Sequence, residues 1–389
     1  MTGVESGRSL PRVCIVVLVA LLGGVGSALL GLCGPFTDVA ADTFCPFVLE
    51  IFTLGITTGT TPTTYDPASS VSRLQMAAFL SRTVDRALQR LQLRSSLRQF
   101  STPQNVQSLG MTSIGLLPIF IESDGADLWV TAGNFGSGFV TRVRASDGKL
   151  LGTWTGADSC ENVLVALGKV FVPASSAPGK LYRIDPSQPA GSVTTVSTAV
   201  GNNPMGIAFD GERIWTANGS GSVSQVTPAA AAPFPVVTIV GFQSPRGILY
   251  DGTNVWITDY NASRLIKLQA TGAVLQTVTV GFHPNYPNFD GTNIWVPNEG
   301  SNSVSVVRAS SGVVLATLTG NGLDMPKQAA FDGQRVLVTN YNGNSVSLWK
   351  AADLTAIGTF PVGVLPNGVC SDGVDFWIAV LGNTTVTRF

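Results

Sequence analysis

The stretch "DGTNIWVPNEGSNSVSVV", Asp290 to Val307, decides the fold. Asp-Gly is a tight-turn pair, because Gly accepts positive φ without steric cost. "TNIWVP" is then a strand run centred on Trp295. After the polar "NEGSN", Val alternates with Ser, the period of a strand with one buried face. This is a hairpin, and the open question is whether its Asn298 and Glu299 hold a ligand or only turn the chain.

Working outward, the same pattern recurs. A Pro, a short apolar strand, Asp-Gly and an aromatic-centred strand appear in "LPIFIESDGADLWVT", "NPMGIAFDGERIWTA", "SPRGILYDGTNVWIT", "HPNYPNFDGTNIWVP", "MPKQAAFDGQRVLVT" and "LPNGVCSDGVDFWIA". A degenerate copy, "ENVLVALGKVFVP", lacks both Pro and Asp. The central residues are Trp129, Phe171, Trp215, Trp256, Trp295, Leu337 and Trp377, spaced about 40 residues apart, a period that marks propellers and solenoids. Each copy supplies four strands and no helix, which predicts an all-β seven-bladed β-propeller of four-stranded antiparallel blades.

The last copy runs out of chain after three strands. Its fourth is supplied from the front: "SLGMTSIGLLP" (Ser108–Pro118) aligns with "AIGTFPVGVLP" (Ala356–Pro366), so a strand near residues 108–115 is expected to close the last blade. Closure removes the two open sheet edges.

Composition narrows the partners. Of 389 residues, 12% are charged and the net charge is −1, so the basic footprint that nucleic acid needs is missing. With His283 the only histidine and no C-x-x-C pair, a structural zinc site lacks ligands, and no Ser-His-Asp set is convincing because His283 sits in a Pro-rich turn with no evident orienting partner. No cofactor, metal or catalytic residue is assigned from the sequence. The Trp and Asp-Gly residues, present once per repeat, read as between-blade packing and turns.

The front of the chain differs. Arg8 and Arg12, the apolar run Val13–Leu22 and small residues at Gly26 and Ala28 read as an export signal over residues 1–28. The apolar stretch extends to Leu32, so an uncleaved membrane anchor is the other reading. Either places the rest outside the cytoplasm: secreted, periplasmic or on the cell surface. Cys33 and Cys45 are near enough for a local disulfide there. Cys160 and Cys370 lie in apolar strands and read as buried small hydrophobes.

Residues 33–92 carry two helical patterns, Phe44/Val48/Ile51/Phe52 and Leu74/Ala77/Leu80/Val84/Leu88, around a Thr/Gly/Pro-rich loop. The pieces "FTDV", "LGITTGT", "TYDP" and "VSRLQMAAFLSR" resemble an S-layer homology (SLH) domain. That resemblance implies association with an acidic cell-envelope polymer, with Arg73 at the contacting position. The family commonly uses three repeats where this chain has one, and Leu74-Gln75 departs from its usual pair. Residues 93–106 read as a linker, and 107–389 as the propeller.

The repeats resemble the YVTN/NHL-like propellers, most visibly in "WVPNEGSNSVSVVRASSGVVLATLTG" and "VLVTNYNGNSVSLWKAADLTAIGTFPVG". They are distantly similar to the virginiamycin B lyase family, which implies a magnesium ion held with two histidines and a glutamate. A single histidine cannot supply that set. The sequence therefore favours a binding or scaffold protein for a surface protein or glycan over a secreted lyase or hydrolase. In a propeller, the residue after each marker Pro and the loop between second and third strands crowd one end of the channel. The first set is Ile119, Met205, Arg246, Asn285, Lys327 and Asn367. The second includes Asn134, Asn218, Asp259, Tyr260, Asn298, Glu299, Asn340 and Tyr341. From these, Arg246, Asn285, Asn298, Glu299, Lys327, Asn340, Tyr341 and Asn367 form the candidate binding rim, suited to an anionic or polar ligand.

Overall fold

The computed structural model describes residues 111–389 except 116 and 135, together with residues 36–39, 45, 48, 51–52, 57, 60–71, 76 and 80. The chain divides into two compact units, Met1–Ala87 and Leu88–Phe389.

The second unit is a seven-bladed propeller of seven four-stranded antiparallel sheets. Blade 5 shows how the repeat folds. Its innermost strand is Asn288–Phe289, followed by Asn293–Asn298, Ser303–Arg308 and Val314–Thr319. Asp290-Gly291 makes the first turn, with Gly291 at φ 91°. The "NEGSN" loop is a single 3-10 turn over Glu299–Ser301, ended by Asn302 in the left-handed region.

Closure follows the expected route. Met111–Ser113 pairs antiparallel with Thr385–Arg388, completing the blade built from Pro366–Ser371 and Phe376–Val380. A side chain ties this strand to the neighbouring blade 1, as the Thr112 hydroxyl donates to the Gly148 carbonyl at 2.7 Å.

Each central bulky residue packs into the following blade. Trp129 meets Val170 and Val172, Trp256 meets Ile294 and Val296, and Trp295 meets Val336 and Val338. Trp377 closes the circle against Ile121 and Leu128 of blade 1. The core is thus a ring of seven interfaces rather than one centre. Each Asp-Gly turn does a second job: the indole N–H of Trp129, Trp215, Trp256, Trp295 and Trp377 donates to the Asp five residues earlier, at 2.7–2.9 Å. The other carboxylate oxygen accepts backbone N–H groups of the turn, as Asp290 does from Thr292 and Asn293. Blade 6 has Leu337 in place of Trp, and Arg335 donates to Asp332 instead, at 2.8 Å.

Near the axis the innermost strands approach closely. A Cβ on Gly206, Gly247 or Gly368 would stand within 2.8 Å of a backbone carbonyl of the next blade, at Arg246, Asn285 and Ile119 respectively. The Gly two residues after the marker Pro is what permits that approach.

In the first unit, Phe36, Val39 and Val48 form a small core with Cys45, Phe52 and Tyr65. Residues 45, 48, 51, 52, 76 and 80 are helical. The Asp38 carboxylate accepts the backbone N–H groups of Tyr65 and Asp66, so "FTDV" and "TYDP" are fastened together. Those bonds hold the Asp38 carboxyl below the usual range, Tyr65 contributing most. Cys45 is disulfide-bonded. Its expected partner Cys33, Arg73, and the expected signal and linker lie outside the described residues.

Candidate functional site

Glu299, the first residue of the blade 5 turn, is the hub of the channel mouth. Its carboxylate accepts the Asn285 amide at 2.7 Å, Lys327 Nζ at 2.9 Å and Arg246 Nη1 at 3.3 Å. Four predicted rim residues from blades 4, 5 and 6 therefore meet in one cluster. The cluster is only slightly open to solvent, the Glu299 side chain being 11% exposed. Burial lowers the Lys327 pKa, with the Glu299 contact opposing it.

A stack of flat groups leans on this cluster. Arg246 lies over the Tyr260 ring at 3.7 Å. Tyr260 stacks on His283 at 4.2 Å, and His283 on Phe282 at 3.8 Å. Phe282, 52% exposed, is the outer face of the stack. Lys327 is placed similarly, 5.0 Å over the ring of Tyr341. Burial, followed by the Glu299 charge, raises the Tyr260 pKa.

The remaining predicted residues lie elsewhere. Asn298 and Asn340 were expected on the rim, yet both are fully buried. Asn298 donates to Ser303 and Ser305, and Asn340 to Ser345 and Ser347. Asn218 does the same with Ser222 and Ser224. An Asn ending the second strand staples the Ser-x-Ser that opens the third, so its amide N–H groups are used within the blade, while the buried amide oxygens of Asn298 and Asn340 take no partner among the described residues. Asp259 accepts the N–H groups of Gln243 and Ser244, a turn role. Asn367 donates to the Ile119 carbonyl, joining blade 7 to blade 1.

One member of the mouth was missed. Cys160 bridges Ala174, three residues after Phe171, as Pro284 bridges Asn298, three after Trp295. Cys160 thus occupies the marker-Pro position of the degenerate blade 2, and Glu161 is the seventh residue of the set that includes Arg246, Asn285 and Lys327. Registering the copies on Phe171 rather than on Pro would have found it. Burial pushes the Glu161 carboxyl up to about 7, against the pull of Arg246.

Below the mouth, Tyr286 of blade 5 and Phe120 of blade 1 meet edge-to-face across the axis, ring centroids 4.5 Å apart. Tyr286 is held well above its ordinary pKa by burial first, then by Glu161.

The lyase family's two-histidine, one-glutamate magnesium set does not fit this mouth, because its single imidazole is sandwiched between Tyr260 and Phe282. No family profile and no curated protein matches the chain. Solved structures do share its fold. A streptogramin B lyase structure superposes with a TM-score of 0.57 at 15% identity, over 72% of this chain and 96% of that one. An inactive variant of Staphylococcus aureus virginiamycin B lyase with quinupristin gives 0.59 at 16%, over 72% and 98%. Hydrazine synthase of Kuenenia stuttgartiensis gives 0.59 at 18%, over 72% and 97%. Proteins with such different names share this seven-bladed frame, so the frame does not select a chemistry.

Proposed function

We propose that this is an exported, non-catalytic binding protein of the cell envelope. In this reading residues 1–28 direct export, the SLH-like segment 33–92 associates with an acidic wall polymer through Arg73, and the propeller recognises a protein or glycan at the loop end of its channel. One observation carries the propeller's part. Arg246 and Lys327 both pair with Glu299, while the exposed Phe282 ring, backed by His283 and Tyr260, is turned outward. Paired charges and a stacked aromatic face suit recognition of a sugar ring or peptide plane better than proton transfer. The docking of "FTDV" on "TYDP" supports a folded module in the first unit. The alternative, a secreted lyase or hydrolase, is weakened by the absence of a second histidine.

The test is co-sedimentation with purified cell walls carrying their acidic polymer. The full chain is expected to be retained most, residues 106–389 less, and an unrelated protein least. Equal retention of the first two overturns the anchoring role. Retention of residues 106–389 no greater than the control overturns wall-glycan recognition by the propeller.

A further inference from the structure

Blade 2 departs from the repeat at its marker-Pro position as well as at its Asp-Gly turn, and the first of these places faces a cavity. Six copies carry the marker Pro at the entry to their innermost strand; blade 2 has Cys160-Glu161 instead. Departures from an otherwise consistent pattern are where function is to be sought. The backbone of Glu161 is pinned on both sides: its N–H donates to the Pro173 carbonyl at 3.1 Å, and its carbonyl accepts the Thr131 hydroxyl at 2.6 Å. Its carboxyl group, by contrast, takes part in none of the described hydrogen bonds or ion pairs. It lines a pocket of about 250 Å³ at the loop end of blades 7, 1 and 2, with Leu117, Ile119, Leu381 and Ser175 among the other walls.

We propose that this pocket binds a primary ammonium group carried on a short apolar stem, with the Glu161 carboxylate as its counter-ion. The walls dictate the class. An apolar pocket with one unpaired, half-buried carboxyl rewards a ligand bringing one positive charge and a hydrocarbon body. The cation that acts on Glu161, Arg246, shares the Glu299 carboxylate with Lys327 and is held over the Tyr260 ring. It makes none of the described ion pairs with Glu161, so an ammonium group has to compete with it only at a distance. The other titratable groups around Glu161 are Tyr286 and Cys160, both pushed towards their neutral forms by burial. The pocket is lined by no residue of the Glu299 cluster, although Arg246 of that cluster acts on Glu161 through its charge, and the proposal does not depend on where the protein resides. A free alkylamine and a peptide lysine share the required chemistry.

Calorimetric titration of the full chain separates the possibilities. The probes are phenethylammonium for a free amine, N-acetyl-lysine N-methylamide for a peptide lysine, and 2-phenylethanol as the neutral analogue. At pH 8.5 at least one amine is expected to bind about tenfold or more tightly than the alcohol. Affinity should fall about 30-fold by pH 5.5, as Glu161 takes up its proton near pH 7. Glu161→Gln should abolish the preference for the amine. The first two measurements need no variant, so the proposal stays testable if the substitution impairs folding. No binding of either amine, equal binding of amine and alcohol, or an unchanged affinity in a folded Glu161→Gln protein would overturn it.

Discussion

Glu299 holds two cations and an amide from three blades, and its loss would strand all three. Breaking such a pair by removing one partner costs more than the pair contributes, because the remaining charge stays half-desolvated. Glu299→Gln is expected to destabilise the propeller by about 2 kcal/mol after allowing for partial exposure. The same change in a Lys327→Met background should cost clearly less, and denaturant melts of the four proteins measure the difference. Such pairings show how far single residues were legible. Glu299, Arg246, Lys327 and Asn285 could be placed together because blade geometry fixes which positions meet. Asn298 and Asn340 could not be told from rim residues, since an Asn in a turn-rich loop looks the same whether its amide faces solvent or a buried Ser. The Asp–Trp bond is not legible in the sequence, where Asp-Gly reads as a turn and Trp as packing, and their constant five-residue offset becomes a bond only once both side chains are on one face.

At the scale of elements, the strand Met111–Ser113 is short, and it alone covers the edge of Thr385–Arg388. A chain beginning at residue 117 leaves that edge bare, with the unpaired N–H and C=O groups that invite pairing between copies. Compared with a chain beginning at residue 107, it is expected to melt at least several degrees lower and to elute partly as oligomers on gel filtration. Equal melting and a single monomer peak would show that the strand is dispensable. This element was readable in advance because the Gly and Pro spacing of Ser108–Pro118 repeats that of Ala356–Pro366. Blade 2 was harder: without Pro and Asp its internal register was lost, and Glu161 went with it. The front unit was only partly readable, because the described fastenings, Thr37 to Thr63 and Asp38 to Tyr65 and Asp66, join stretches that are separated in sequence and have no periodic relation.

For the molecule as a whole, two half-buried carboxyl groups set the response to pH. Burial pushes both Glu122 and Glu161 up to about 7. A carboxyl raised in the folded state binds its proton more tightly there than in the unfolded chain. These groups therefore contribute stability that is full below about pH 4.5 and is lost as pH rises through 7. The melting temperature is expected to fall between pH 5 and pH 8, and Glu122→Gln to melt higher than the parent at pH 8 and to flatten the profile. Scanning calorimetry across that range decides it; a rising profile would mean that other groups dominate. Finally, the contact of Phe120 with Tyr286 changes what sort of container this ring is. With two rings meeting across its axis just beneath the charged mouth, the bore carries an aromatic step, and a guest settling at the loop end meets that step before it can travel deeper.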